Sequence, residues 1–166
     1  MRQMLTTGLL WFSVLGCGLM AGVYFAFSSF VMASLARLAP AAGMAAMNAI
    51  NLQIVRSLFM PLFLGTTLAA ALLAGLAVLR WSEAGTAAML AGGLVYCAGM
   101  FAVTALWNVP LNDALAATDP ASTEATSLWA RYLRDWTYWN HIRTVASLAS
   151  AVLFMLALLR GGATAS

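Results

Sequence analysis

Charge is nearly silent along four long stretches of the chain. No charged residue falls between Arg2 and Arg37, and further apolar runs lie between Arg56 and Arg80, between Glu83 and Asp113, and before Arg160. A hydrocarbon core about 30 Å thick needs about 20 helical residues, so each run is long enough to cross it. The pattern predicts spans at roughly 7–35, 57–79, 84–107 and 137–159. Helices are the expected form, because every backbone polar group in lipid must find its partner within the segment. The short alternating segments of a barrel are absent. Only Arg80, Trp81, Ser82 and Glu83 join the second and third runs, which makes that pair an antiparallel hairpin. Between Arg37 and Arg56, Met44, Met47, Ile50 and Ile54 recur at helical spacing after Pro40 and Gly43. That reads as a short amphipathic helix lying at the interface. Pro110 and Pro120 are expected to break the last link into short pieces. The prediction is a single all-α domain, residues 1–166: an integral membrane four-helix bundle with an amphipathic interfacial helix between spans one and two.

Composition agrees. The chain is 63% hydrophobic and 8% charged, against about 25% charged in an ordinary soluble domain, and one core could not hide so much apolar surface from water. The first run is too long for a signal-peptide core and has no convincing cleavage site. All eight cations are arginines, spread along the chain. They form neither a nucleic-acid stripe nor a polybasic lipid patch and read as scattered interfacial anchors, with membrane lipid as the surrounding partner. Cys17 and Cys97 sit mid-run with no CxxC pattern and one histidine in the chain, so no metal site is expected and both thiols read as reduced and packed. Gly18 and Gly22, continued by Ala26, suit close helix packing inside the bundle; the other reading of that face is a homo-oligomer contact. Four spans put both termini on one side, marked by Arg2, Arg80 and Arg160, and the long links on the other, with Arg37, Arg56, Arg131, Arg134 and Arg143. The raw arginine count favours the long links inside, but several of those arginines are candidates for functional or acid-paired roles, so the positive-inside rule does not settle the orientation. We place the termini in the cytoplasm, across a bacterial inner membrane.

The polar residues are few but converge. Sixteen residues separate Arg143 from Arg160, roughly 24 Å of helix, short of the core thickness. The fourth span must begin before Arg143, which is thereby drawn to the membrane edge or just inside it. Asn140, Arg143, Thr144 and Ser147 share one helical face, which should turn into the bundle. On the same side the third span runs out through Trp107, Asn108, Pro110 and Asn112, with Asn108 placed as an N-cap. The first link adds Asn48, Asn51 and Arg56, and span one ends in Tyr24, Ser28 and Ser29. Each has a plainer role available. Arg143 can snorkel, His141 can anchor at the interface, and Asn108 and Asn112 can be turn residues. Trp107, Trp129, Trp136 and Trp139 read as an aromatic belt, and the methionines as packing rather than metal ligands. The case for a site is the convergence.

Four segments carry a resemblance: Cys17 through Met32, Ala49-Ile-Asn51, Trp107-Asn-Val-Pro-Leu-Asn112, and Trp139-Asn-His-Ile-Arg-Thr144. Together they are similar, in order and over most of the chain, to the anthrone oxygenase-like family of small membrane proteins, although Ala33 stands where many relatives have proline. Fungal members are associated with oxidation of anthrones to anthraquinones without a metal or organic cofactor. The resemblance implies an O₂-dependent oxidation of a lipophilic aromatic small molecule, with no cofactor and O₂ as co-substrate. Such chemistry calls for a base, donors to an enolate oxygen, and a dry aromatic pocket. In that reading His141 is the base, and Arg143, Asn108 and Asn112 stabilise the enolate. Trp107, Trp139, Tyr24 and Phe27 flank the substrate, with Ser28, Asn48, Asn51 and Asn140 around it. The competing functions are a non-catalytic binder or carrier of a quinone, lipid or aromatic metabolite, a structural subunit of a larger membrane partner, and a haem protein with His141 as axial ligand.

Overall fold

The computed structural model describes residues 2–162 and is helical throughout apart from short links. The side chain of Arg2, taken above as a terminal-side marker, lies outside the described residues. Helix α1 runs Arg2–Ala26, passes through a π-helical segment Phe27–Val31 and ends in Met32–Leu35. Helix α2 is Pro40–Arg56 and α3 is Phe59–Leu79. Helix α4 begins at Thr86–Tyr96, widens through π-helical segments Cys97–Ala102 and Thr104–Asn108, and closes with Val109–Ala117. Helix α5 is Ala125–Gly162. Four of the five, all but α2, are long and apolar enough to cross a membrane. The chain is an integral membrane protein, an all-helical bundle with one shorter helix between the first two spans.

The local rules explain most boundaries. Pro40 opens α2, where its missing N–H is not needed. Gly85 opens α4 at φ +85°, and a Cβ there would stand 2.8 Å from the Ala157 carbonyl oxygen, so both conformation and space demand glycine. Beside it the Thr86 hydroxyl donates to the carbonyls of Glu83 (2.8 Å) and Trp81 (3.1 Å), closing the expected α3–α4 hairpin. Arg80 in that turn reaches Thr6 on α1 at 3.1 Å. The turn and the start of α1 thus share one end of the bundle, which is the terminal end.

Two expectations about α4 and α5 fail. Helix α4 does not end near Trp107 but continues through Pro110 to Ala117. The π-helical turn immediately before Pro110 shifts the preceding carbonyls, which relieves the clash that a proline ring makes in a regular helix. Asn108 is therefore not an N-cap; it has helical backbone angles and no capping bond. Pro120 does interrupt the chain, between α4 and α5. Helix α5 starts about twelve residues earlier than expected, and its 38 residues span roughly 57 Å, well beyond one hydrocarbon core.

The extra length builds a second core. In the membrane half, Cys17, Met20, Tyr24, Leu73, Tyr96, Met100 and Phe154 form the main cluster. At the long-link end, Met32, Met44, Met47, Leu115, Trp129, Tyr132 and Trp136 form another, under α2 and the end of α4. Trp129, Tyr132 and Trp136 stack in series along α5, at 5.6 and 6.0 Å between ring centres. Trp129 and Trp136 are thus core residues rather than part of a belt. Gly43 lets α2 lie against the Trp129 indole, where a Cβ would come within 2.6 Å of the ring. The glycine expectation is also corrected. Gly18 and Gly22 meet nothing within 4 Å and face outward, whereas Gly16 on the same helix and Gly92, Gly93 and Gly99 on α4 are closely packed. Cys17 and Cys97 are free thiols.

Candidate functional site

Three π-helical segments face α5: Phe27–Val31 of α1, and Cys97–Ala102 and Thr104–Asn108 of α4. A π turn adds a residue and re-aims the side chains beyond it. Here the turns present Ser28 and Thr104 to the polar face of α5. Asn140 is fully buried and donates through Nδ2 to the Tyr24 carbonyl (2.7 Å) and to Ser28 Oγ (2.8 Å). These bonds fix the amide's orientation. Its Oδ1 then accepts from Arg143 Nη2 at 2.8 Å.

Arg143 is 5% exposed and lies between two rings, its Cζ 4.4 Å from the Tyr24 ring centre and 4.9 Å from that of Trp136. Nη1 reaches Thr104 Oγ1 at 3.4 Å, and Nε is buried without a partner. No carboxylate answers the charge: among the described residues the ion pairs are Arg80–Glu83 and Arg134–Asp135, both elsewhere. The two aromatic faces are a partial substitute, since a ring quadrupole attracts a cation more strongly once water is excluded. A buried guanidinium held this way retains an unmet attraction for an anion.

Arg143 borders a cavity of about 200 Å³. For scale, an apolar cavity of about 150 Å³ accepts benzene. Its walls are almost wholly apolar. Tyr24 and Phe27 come from α1, Met47, Ile50 and Ile54 from α2, Phe59 and Phe63 from α3, and Trp136 from α5. Thr104, Asn51, Asn112 and Arg143 are its polar groups. Asn112 Oδ1 accepts from both Tyr132 O–H (2.8 Å) and Trp136 Nε1–H (2.9 Å). That pair of donors leaves the amide N–H₂ as the group Asn112 can offer a ligand. Asn51 Nδ2 is also buried without a hydrogen bond of ordinary geometry.

The sequence-predicted residues divide accordingly. Arg143, Asn112, Tyr24, Phe27 and Asn51 line the cavity. Asn140 and Ser28 stand behind Arg143 and position it. Asn108 is buried, but its amide donates to the Trp136 carbonyl (3.2 Å) instead of reaching the cavity. Asn48 is half-buried and lies off the cavity wall. Trp107 and Trp139 do not flank a ligand there; they stack on each other, 4.3 Å between ring centres, away from it. His141 is exposed on the outer side of α5, its Nδ1 2.8 Å from Ser28 Oγ. A 100° step per residue turns it off the face that carries Asn140, so it does not touch the cavity. The residues missed are Thr104, Phe59, Phe63 and Trp136. The spacing of Trp136, Asn140 and Arg143 on one face was a usable signal. The phase shift from the π turns, which turns Thr104 inward, was not.

Among the described residues no three His, Cys, Asp or Glu side chains gather as a metal-binding group. The fold and site define a helical membrane protein with a buried cation at an aromatic cleft. A family model described as anthrone oxygenase matches residues 51–153. The chain belongs to the anthrone oxygenase family. No curated protein and no solved structure matches it significantly. The family match runs from the end of α2 through most of α5 and so includes Asn51, Thr104, Asn112, Trp136, Asn140 and Arg143.

Proposed function

We propose that this protein is a membrane-embedded oxygenase that needs no cofactor and acts on a lipophilic anthrone-like or phenolic aromatic substrate. The observation that carries the reading is a buried arginine with no carboxylate partner at the wall of an apolar, aromatic cavity. An anthrone is a weak carbon acid whose conjugate base places its charge on an oxygen. A guanidinium favours that base over the neutral ketone, and in a site without water its field is worth far more than in solution. The C–H proton passes to water at the cavity mouth, the electron-rich anion reduces O₂ and combines with it, and a proton taken back from that water completes the hydroperoxide at the same carbon. Loss of water leaves the second carbonyl. The balance is R₂CH₂ + O₂ → R₂C=O + H₂O, with no electrons left over. Tyr24, Phe27 and Trp136 supply faces for a planar ring system, and Asn112 and Asn51 supply N–H donors to its other oxygens. His141 acts through Ser28 and Asn140 on the orientation of Arg143, rather than as the base.

One observation favours a non-catalytic carrier as the second reading: among the described residues no carboxylate or imidazole lines the cavity. Oxygen uptake by the purified protein in lipid nanodiscs separates the two. The oxygenase consumes one O₂ per anthrone well above the rate in empty nanodiscs, and Arg143→Met abolishes the excess. Binding without excess uptake supports the carrier. We further propose a bacterial inner membrane with the termini in the cytoplasm, which a reporter fused after residue 166 tests.

A further inference from the structure

The terminal end of the bundle carries a second recess, of about 400 Å³, separate from the aromatic cavity. It lies where the start of α1, the α3–α4 turn and the end of α5 meet. Its polar groups are Gln3, Thr6, Thr7, Arg80, Glu83 and Thr86. Deeper in the bundle its wall turns apolar, with Leu10, Met89, Met155 and Leu158. The depth of this recess in the membrane follows from α3. That helix has 21 residues, about 31 Å of rise, which matches one hydrocarbon core. Arg80, the residue after it, therefore stands at the level of the lipid headgroups. Trp11 and Trp81 are both exposed beside it, as aromatic residues at such a boundary usually are.

The recess holds one charge of each sign. Arg80 is partly buried, and its Nη1 is fixed on Thr6 Oγ1 at 3.1 Å. Its Nε stands 4.0 Å from Glu83 Oε1, too far for a hydrogen bond. The Glu83 side chain is 55% exposed. An exposed pair at that separation contributes little, so each member keeps its capacity for a ligand. The guanidinium offers N–H donors in the geometry that suits a phosphate. The carboxylate accepts from a cation that carries N–H. Glu83 repels a simple anion here, and Arg80 repels a simple cation. A ligand with a phosphate and an ammonium a few bonds apart satisfies both.

We infer that this recess binds the headgroup of a phosphatidylethanolamine, with the phosphate on Arg80 and the primary ammonium on Glu83. The glycerol and first methylenes then lie against Trp11 and Met155, both of which line the recess and are exposed toward the bilayer. A choline headgroup has the same charges but no N–H for Glu83. A glycerol headgroup has no cation at all. Glu83 is therefore the group that selects among phospholipids. The site is at the opposite end of the spans from Arg143 and stands whether or not the aromatic cavity is catalytic.

Native mass spectrometry of the full chain tests this directly. The protein is released from nanodiscs of equal parts phosphatidylethanolamine, phosphatidylcholine and phosphatidylglycerol with identical acyl chains, and the retained lipid is counted. The wild-type chain should retain the ethanolamine lipid about fivefold over each of the others, the factor expected of one partly exposed charged contact. Glu83→Gln, at an exposed position the fold does not depend on, should bring the ethanolamine and choline lipids level. Arg80→Gln should lower retention of the ethanolamine lipid by about the same fivefold. Arg160→Gln removes an exposed arginine at the same end but outside the recess, and should change nothing. Equal retention of the three lipids by the wild-type chain, or a preference for the glycerol lipid, would overturn the inference. So would a wild-type preference that survives Glu83→Gln or disappears with Arg160→Gln.

Discussion

Replacing Arg143 by methionine should nearly abolish activity while leaving stability almost unchanged. The variant loses the bond to Asn140 Oδ1, worth about 1.5–3 kcal/mol for a charged donor. It also loses two cation–π contacts, at Tyr24 and Trp136, each up to about 2 kcal/mol when dry. Against this, burying a guanidinium without a carboxylate costs several kcal/mol, and that penalty disappears. Methionine has similar reach, and its sulfur packs well between rings. The terms nearly cancel, so unfolding free energy should move by less than about 2 kcal/mol. Transition-state stabilisation has no such compensation. Loss of one preorganised donor to a developing oxyanion costs about 10²–10³ in rate. The assay pairs thermal unfolding in nanodiscs with an oxygen electrode on the same preparation. If Arg143→Met unfolded the bundle, the arginine would be structural. If it kept wild-type turnover, the reasoning about the charge would be wrong.

Further expectations follow from single contacts. Asn112→Leu strips the acceptor from Tyr132 O–H and Trp136 Nε1–H. Two buried donors left unpaired cost about 1–3 kcal/mol each, visible as a drop of several degrees in Tm. Gly85→Ala forces a side chain into φ +85° and against the Ala157 carbonyl. Its cost of about 1–2 kcal/mol for the backbone alone, plus the clash, should lower Tm without changing KM for the substrate, because the turn is remote from the cavity. His141→Gln can still accept from Ser28, so turnover should stay within about threefold of wild type, measured by oxygen uptake. A loss of a hundredfold or more would reinstate His141 as a catalytic group.

Much of this was legible in the residues. The spacing of charges gave four membrane helices and the hairpin at Arg80–Glu83. The sixteen residues between Arg143 and Arg160 were too few to leave Arg143 in water. Helical phase put Asn140, Arg143 and Ser147 on one buried face. What was not legible depended on backbone register. A π turn has no single-residue signature comparable to proline or glycine, so the continuation of α4 through Pro110 and the inward turn of Thr104 could not be anticipated. The belt reading failed for Trp129 and Trp136 because α5 extends beyond the membrane and supplies its own core, with Gly43 as the unrecognised partner. His141 was misplaced for a simpler reason: adjacency to Asn140 in sequence puts it about 100° around the helix.

The central claim is that Arg143 makes the cavity prefer an aromatic oxyanion. Anaerobic mixing of the protein with an anthrone at neutral pH tests it without any turnover. Bound anthrone should show the long-wavelength absorbance of its conjugate base in the wild-type protein and the spectrum of the neutral ketone in Arg143→Met. If wild-type protein binds the anthrone but leaves it neutral, the account of the site is contradicted.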